Sequence, residues 1–240
     1  MAKRPAPSDK PTAPTRYSPS ARREITRAAN MARIEAAAWT IFATVGLDGA
    51  TIRDIVEASG VSAGSFYNYY RTREAVFDVL VARLLGRVRD CTREARAQAD
   101  TIEDMLRLSY RAFLEMLQSV EGAARFSELN QHHIRASLYS MADMRGILQD
   151  LEGDIIRVMP GATLPVRDLK LIASIIVATG TEALFLTFGD ADFDTARTAD
   201  FITRLMTRGI DGWGAEAVRP ALPLTPRPDR ARPDRDGGGP

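Results

Sequence analysis

Apolar residues recur along this chain at helical spacing. Ile34, Ala38, Ile41, Phe42 and Val45 fall at offsets of four, seven, eight and eleven, one stripe of a helix over about residues 23–45, and Gly46 supplies its stop. Between residues 51 and 74 the pattern predicts two short helices flanking a tight turn. Thr51 caps the first helix, with Asp54 three residues on in an acidic variant of the capping box, and Ile52, Ile55 and Val56 share one inward face. Gly60 stands at the reversal, where a positive φ is needed. Val61 is a buried plug, and Ser62 caps a second helix that opens with the small residues Ala63, Gly64 and Ser65 and then turns aromatic. From Thr72 a longer helix to about residue 98 carries Val76, Phe77, Leu80, Val81, Leu84 and Leu85 before becoming polar.

Thr101, with Asp104 behind it, caps a helix built on Ile102, Met105, Leu106, Phe113, Leu114 and Leu117. Residues 122–137 are less regular, and a helix over 141–158 stops at Pro160-Gly161. Residues 169–188 are apolar almost all round, which for a soluble helix means cover on two sides. One side faces its own core, and a second copy of the chain is the simplest cover for the other. The rival reading, a membrane span, is opposed by Gly180, two threonines and Glu182 within a run barely long enough for a bilayer. A last helix is predicted over 194–213. The fold class is all-α.

Composition changes this picture little. The 240 residues, 45% hydrophobic, suffice for one large or two modest domains, and a net charge of +1 means that any surface facing nucleic acid is charged only locally. The single Cys91 excludes an internal disulfide framework and fits a reducing cytoplasm, and no secretory signal opens the chain. Residues 1–20 read as a disordered basic arm, which either adds phosphate or minor-groove contacts or is a solvated tail. Residues 215–240, rich in Pro, Arg, Asp and Gly, read as a disordered tail. No phosphate-cradling glycine loop, nucleophile elbow or His-Glu-x-x-His motif occurs, so no catalytic residue, cofactor or metal is expected and the chain reads as a non-enzyme. His132 and His133, adjacent on a helix and followed by no carboxylate or thiol at ligand spacing, do not suggest a metal site.

The segment 51–74 is a helix-turn-helix, whose second helix is expected in a DNA major groove. Its run Val61-Ser62-Ala63-Gly64-Ser65-Phe66-Tyr67-Asn68-Tyr69-Tyr70 resembles the recognition segment of TetR-family transcriptional repressors, commonly Val-Ser-Lys-Gly-Thr-Leu-Tyr-His-Tyr-Phe. The similarity covers roughly residues 23–83. Two departures stand out: Ala63 removes a long side chain from the groove-facing turn, and Tyr70 replaces a buried phenylalanine.

The resemblance implies a three-helix DNA-binding domain over residues 21–83, joined by a long helix to a helical ligand-binding and dimerisation domain over 84–214. It implies a homodimer on a palindromic double-stranded DNA operator, released by a small lipophilic effector; an all-helical adaptor without an effector is the alternative, and repressor against activator stays open. DNA contacts are expected at Thr51, Arg53, Ser62, Ala63, Gly64, Ser65, Tyr67, Asn68, Tyr69 and Arg73. Arg53 reads a base or, alternatively, pairs with Glu57. Phe66 and Tyr70 are core. An effector pocket is expected from Met105, Tyr110, Phe113, Met116, Phe126, Tyr139 and Met144, with Asn130, His133 and Glu182 as polar anchors. The dimer interface is expected at Ile172, Ile176, Thr179, Ala183, Phe185, Phe201, Leu205 and Trp213.

Overall fold

The computed structural model describes residues 19–187, 189–190 and 192–209. Most of the expected arm, Trp213 of the expected interface and the tail over 215–240 lie outside the described residues. Those described form α1 (Pro19–Gly49), α2 (Ile52–Ser59), α3 (Ala63–Tyr67), α4 (Arg73–Arg96), α5 (Ile102–Gln118), α6 (Ala123–Ser137), a 3-10 turn (Leu138–Ser140), α7 (Ala142–Val158), α8 (Val166–Thr187) and α9 (Thr195–Arg208), with no strand among them.

The local signals act as read. Gly46 kinks α1 with φ of 73°, and Gly60 closes α2 in the left-handed region with φ of 62°. Thr51 and Asp54 form a reciprocal capping box, and Ser62, Thr72 and Thr101 each accept from the amide three residues on. Two boundaries differ. Residues 19–20, assigned to the arm, begin α1, and the stretch 122–137 contains a regular helix, α6. Its regularity comes from contacts distant in sequence, because its buried Phe126, Asn130 and Ile134 pack on α1 and α4 rather than on neighbours.

Two apolar clusters fill the molecule. The first joins α1 to α4 with α6 and α7, through Phe42, Phe66, Phe77, Phe126 and Met144. The second gathers α5, α7, α8 and α9 around Met105, Leu151, Ile155, Ala173 and Ile202. The Phe126 ring lies between Phe77 of α4 and Trp39 of α1, at centroid distances of 5.4 and 4.3 Å with near-parallel planes. Trp39 also donates through Nε1 to the Glu121 carbonyl at 2.9 Å. The core of the helix-turn-helix therefore continues into α6, with no solvent layer between them.

A buried carboxylate fixes the second departure. The Tyr70 hydroxyl donates to Glu35, which is 3% exposed, and Arg83 of α4 donates to the same carboxylate at 2.8 Å. Burial, and then that carboxylate, push the Tyr70 phenol up, so it stays a donor. A phenylalanine here would leave Glu35 without that partner.

α8 is long and apolar enough, by length and composition, to cross a membrane. In this fold Leu169, Ala173, Ile176, Gly180 and Leu184 turn one of its faces inward, while Val166, Leu171, Ile175 and Leu186 are exposed.

Candidate functional site

One end of the molecule presents α2 and α3. Thr51, Arg53, Ser62, Ala63, Gly64, Tyr67 and Asn68 are all exposed there, and Ser65 partly so. Phe66, fully buried, anchors α3 from behind, so the small opening residues face outward with nothing within 4 Å of a Cβ placed on Gly64. Ser62 and Ser65 share a hydroxyl bond of 2.9 Å. Arg53 does not pair with Glu57 among the described residues; its charge instead helps to hold the Asp54 carboxyl low, behind the larger effect of the Thr51 hydrogen bonds. Tyr67 is 57% exposed, which suits a contact residue.

Two expected phosphate contacts are engaged elsewhere. Arg73 is half-buried and donates to the carbonyls of Asp48 and Ala50 and to Glu74, pinning the loop between α1 and α2 against the start of α4. Tyr69 is half-buried against the first cluster, its hydroxyl 3.4 Å from Asn30 Nδ2. Two exposed cations not singled out by pattern stand on this end. The Arg33 guanidinium lies so close to Gly60 that a Cβ there would sit 2.7 Å from it, and Arg71 stands beside the start of α4. Arg33 borders the apolar stripe of α1, and only the packing of α1 on α2 brings it to the turn.

Behind this end lies a cavity of about 120 Å³. Along α4 its wall comprises Val81, Leu84, Leu85, Val88, Thr92 and Arg96. Of the residues expected to line it, Tyr110, Phe113, Phe126 and Met144 do. The others are placed elsewhere. Met105 is packed in the second cluster, Met116 against the first, and Tyr139 is 47% exposed. The Asn130 amide is spent on Leu47 N, Phe42 O and Phe126 O. Glu182 is exposed and paired with Arg135, whose guanidinium also lies 4.6 Å over the Phe185 ring.

His133 binds Asp48 at 3.0 Å, and His132 approaches the same carboxylate at 3.2 Å. The carboxylate missing from the local sequence thus arrives from the end of α1, and hydrogen bonding to His133 is the chief cause holding the Asp48 carboxyl low. Cys91 is half-buried with its thiol pushed up by burial, a setting opposed to nucleophilic use.

The faces of α8 divide the expected interface. Ile176 and Phe185 line the cavity of their own chain, because the 3.6-residue period turns them inward with Gly180 and Leu184. Ile172, Ala183 and Leu205 are half-buried, the first two packed on the second cluster. Thr179 bonds its own helix at Ile175 O, and Phe201 is 43% exposed. Gly180 lets α8 approach α5, since a Cβ there would lie 3.2 Å from the Tyr110 ring.

Residues 34–80 match the model of the bacterial regulatory proteins, tetR family. Over 79 residues the chain is 32% identical to the HTH-type transcriptional repressor KstR2 of Rhodococcus jostii (strain RHA1), a match covering 31% of this chain and 39% of that protein. The match thus spans well under half of that relative's length. The fold is similar to that of the regulator FadR from Bacillus subtilis in complex with stearoyl-CoA, at TM-score 0.63 and 20% identity, over 75% of this chain and 98% of that one. The fatty acid degradation regulator FadR from Bacillus halodurans gives TM-score 0.62 at 21% identity, over 75% and 96%. PfmR from Thermus thermophilus, a TetR-family regulator, gives 0.59 at 17%, over 74% and 98%. At these identities the structural likeness is one of fold.

Proposed function

We propose, for a chain that belongs to the tetR family of bacterial regulatory proteins, that it represses transcription as a homodimer on a palindromic operator in the cytoplasm. A small lipophilic effector would occupy the cavity behind α4 and release the DNA. The observation that carries this reading is the double use of α4. Its first turns carry Val76 and Phe77 into the core of the helix-turn-helix, and its remaining turns, from Val81 to Arg96, are a wall of the cavity. Phe126 acts the same way from α6, facing the cavity and stacking on Trp39 and Phe77.

The size of the cavity supports coupling. About 120 Å³ is less than the roughly 300–1,000 Å³ of usual small-molecule sites. An effector of that class enters by parting the walls, and α4 is one of them. Interiors are close-packed, so the displacement passes to α2 and α3 as a rigid shift. An effector acts only as far as it prefers that displaced geometry. The stearoyl-CoA held by the Bacillus subtilis neighbour supports an effector with a hydrocarbon chain here.

On DNA, Arg53, Ser65 and Tyr67 would reach base edges, with Ser62, Asn68, Arg33 and Arg71 on phosphates. One short recognition helix cannot specify a long site, so two copies must meet half-sites about 34–36 Å apart or a multiple of that. The exposed Leu171, Ile175 and Leu186 on α8 support a second copy as their cover.

Selection of bound genomic fragments by the purified protein, followed by gel shifts with a set of lipophilic compounds, tests the reading. A palindromic site released by a subset of those compounds is expected. Compounds that bind the protein and leave operator affinity unchanged would break the coupling.

A further inference from the structure

We infer that the effector is a small monocarboxylate with an apolar body, an unesterified acid whose carboxylate seats against Arg96 and Ser109. This rests on the cavity being the effector site. Three hydroxyls on its wall are satisfied within the protein. Thr92 donates to Val88 O at 2.8 Å, Thr181 to Val177 O at 2.9 Å and Tyr110 to Ile176 O at 3.0 Å. Arg96 Nη2 and Ser109 Oγ, on the same wall, are not. Both atoms are buried with no hydrogen-bond partner, on residues only 2% and 7% exposed. One comes from the last turn of α4 and the other from the helix packed beside it, and both residues line the cavity. A buried donor left without an acceptor is costly, and more so on a cation.

The charges around Arg96 give the missing acceptor its sign. Arg96 Nε lies 2.6 Å from Asp154 Oδ2, while Arg157 Nη2 approaches Oδ1 of the same carboxylate at 3.3 Å. Arg157 is tied down by its bonds to the Arg96 and Ala99 carbonyls at 2.7 and 2.8 Å. Two guanidiniums thus share the Asp154 carboxylate, while Asp150, bonded to Arg89, feels the Arg96 charge only at a distance. The remaining face of the Arg96 guanidinium meets an apolar cavity wall and no acceptor, and for a buried cationic donor an anion is the favoured complement. A carboxylate offers two acceptor oxygens, one for Arg96 Nη2 and one for the Ser109 hydroxyl. The remaining apolar wall, toward Val81, Phe126 and Leu138, suits a hydrocarbon body.

Burial limits the head group. The Arg96 side chain is 3% exposed, so whatever reaches it fits inside the protein. A carboxylate does, and brings the charge; an acyl-CoA would present an uncharged thioester to Arg96 with its nucleotide still to be housed. Against the general fold likeness, this chain is thus built for the free acid.

Calorimetry on the full chain with decanoate, decanol and decanoyl-CoA tests the assignment, using wild type, Ser109→Ala and Arg96→Met. Decanoate should bind at least about tenfold more tightly than decanol, and each substitution should weaken decanoate about tenfold while leaving decanol unchanged. Decanol reports an intact cavity, so Ser109→Ala decides the matter if Arg96→Met loses decanol as well. Equal binding of decanoate and decanol, unaltered by Ser109→Ala, would overturn the anchor and assign the two donors to a buried water, leaving the cavity reading intact. Tighter binding of decanoyl-CoA than of decanoate would overturn the small head group. No binding of any of the three would remove the cavity reading itself.

Discussion

The side-chain oxygen of Asn130 on α6 accepts from the backbone amide of Leu47, just past the kink of α1, at 2.7 Å. Its nitrogen donates to Phe42 O and Phe126 O at 3.0 and 2.7 Å, and the residue is fully buried. This amide ties the end of α1, and so the loop leading to α2, to the helix that stacks Phe126 on α4. Replacement by leucine, similar in volume, should leave the Leu47 amide and Phe42 carbonyl without this partner, at a cost of about 1–3 kcal/mol for each group stranded. Urea unfolding of Asn130→Leu checks this, and an unchanged midpoint would remove the clamp from the account.

Arg53 offers a change without structural cost. It is exposed and forms no ion pair among the described residues, and its charge is the least of the influences on Asp54, so Arg53→Ala should leave unfolding nearly unaltered. Operator affinity should fall by about 1–3 kcal/mol, with preference relaxed at one position per half-site. Footprinting and binding titrations at fixed salt are the measurement; identical footprints and affinities would take Arg53 off the list of base readers.

Gly180→Ala should act on the effector and not on the operator. The new methyl would lie 3.2 Å from Cε1 and 3.4 Å from Cδ1 of Tyr110, whose hydroxyl is held by Ile176 O and cannot simply swing away. The ring or α8 must give, narrowing a cavity that is already small. Effector binding should weaken by about 1–3 kcal/mol, the usual range for overpacking, with effector-free DNA affinity kept. Calorimetry paired with gel shifts separates the two.

How much of this was legible in the sequence follows from the range of the interactions. The caps at Thr51, Ser62 and Thr101, the helix start at Thr72 and the turns at Gly46 and Gly60 are local, and pattern alone located them. The outward face of α2 and α3 was implied by the family resemblance, with periodicity giving only the inward stripe of α2. The cavity wall was only partly readable, because an apolar stripe says that a residue is buried but not whether it meets a neighbour or a void. Met105 and Val88 have the same character, yet only Val88 faces the cavity. Polar partners across the chain were invisible: Asp48 for His133, Glu182 for Arg135, Asp154 for Arg96. Asn130 and Arg73, expected at ligand and phosphate, are spent on backbone groups that only the tertiary packing brings near.

Stability should fall in acid through the contact between α4 and α7. The Arg89 hydrogen bond holds the Asp150 carboxyl below the ordinary carboxylate range. A carboxyl lowered by folding adds stability above its unfolded pKa and loses it as pH drops through the folded one. Urea midpoints for wild type should therefore exceed those of Asp150→Asn from neutral pH down to the ordinary carboxylate range, and the gap should close below it. A gap independent of pH would mean that the pair contributes nothing through its charge.

The central claim is that occupation of the cavity resets the spacing of two recognition helices in a dimer. It is tested most directly by one distance between copies, read by pulsed dipolar spectroscopy from spin labels at the exposed Glu57→Cys in a Cys91→Ser background, with and without decanoate. A single narrow distance that shifts by several ångströms when decanoate is added is the predicted result. No dipolar coupling at all, or the same distribution with saturating ligand, would contradict it.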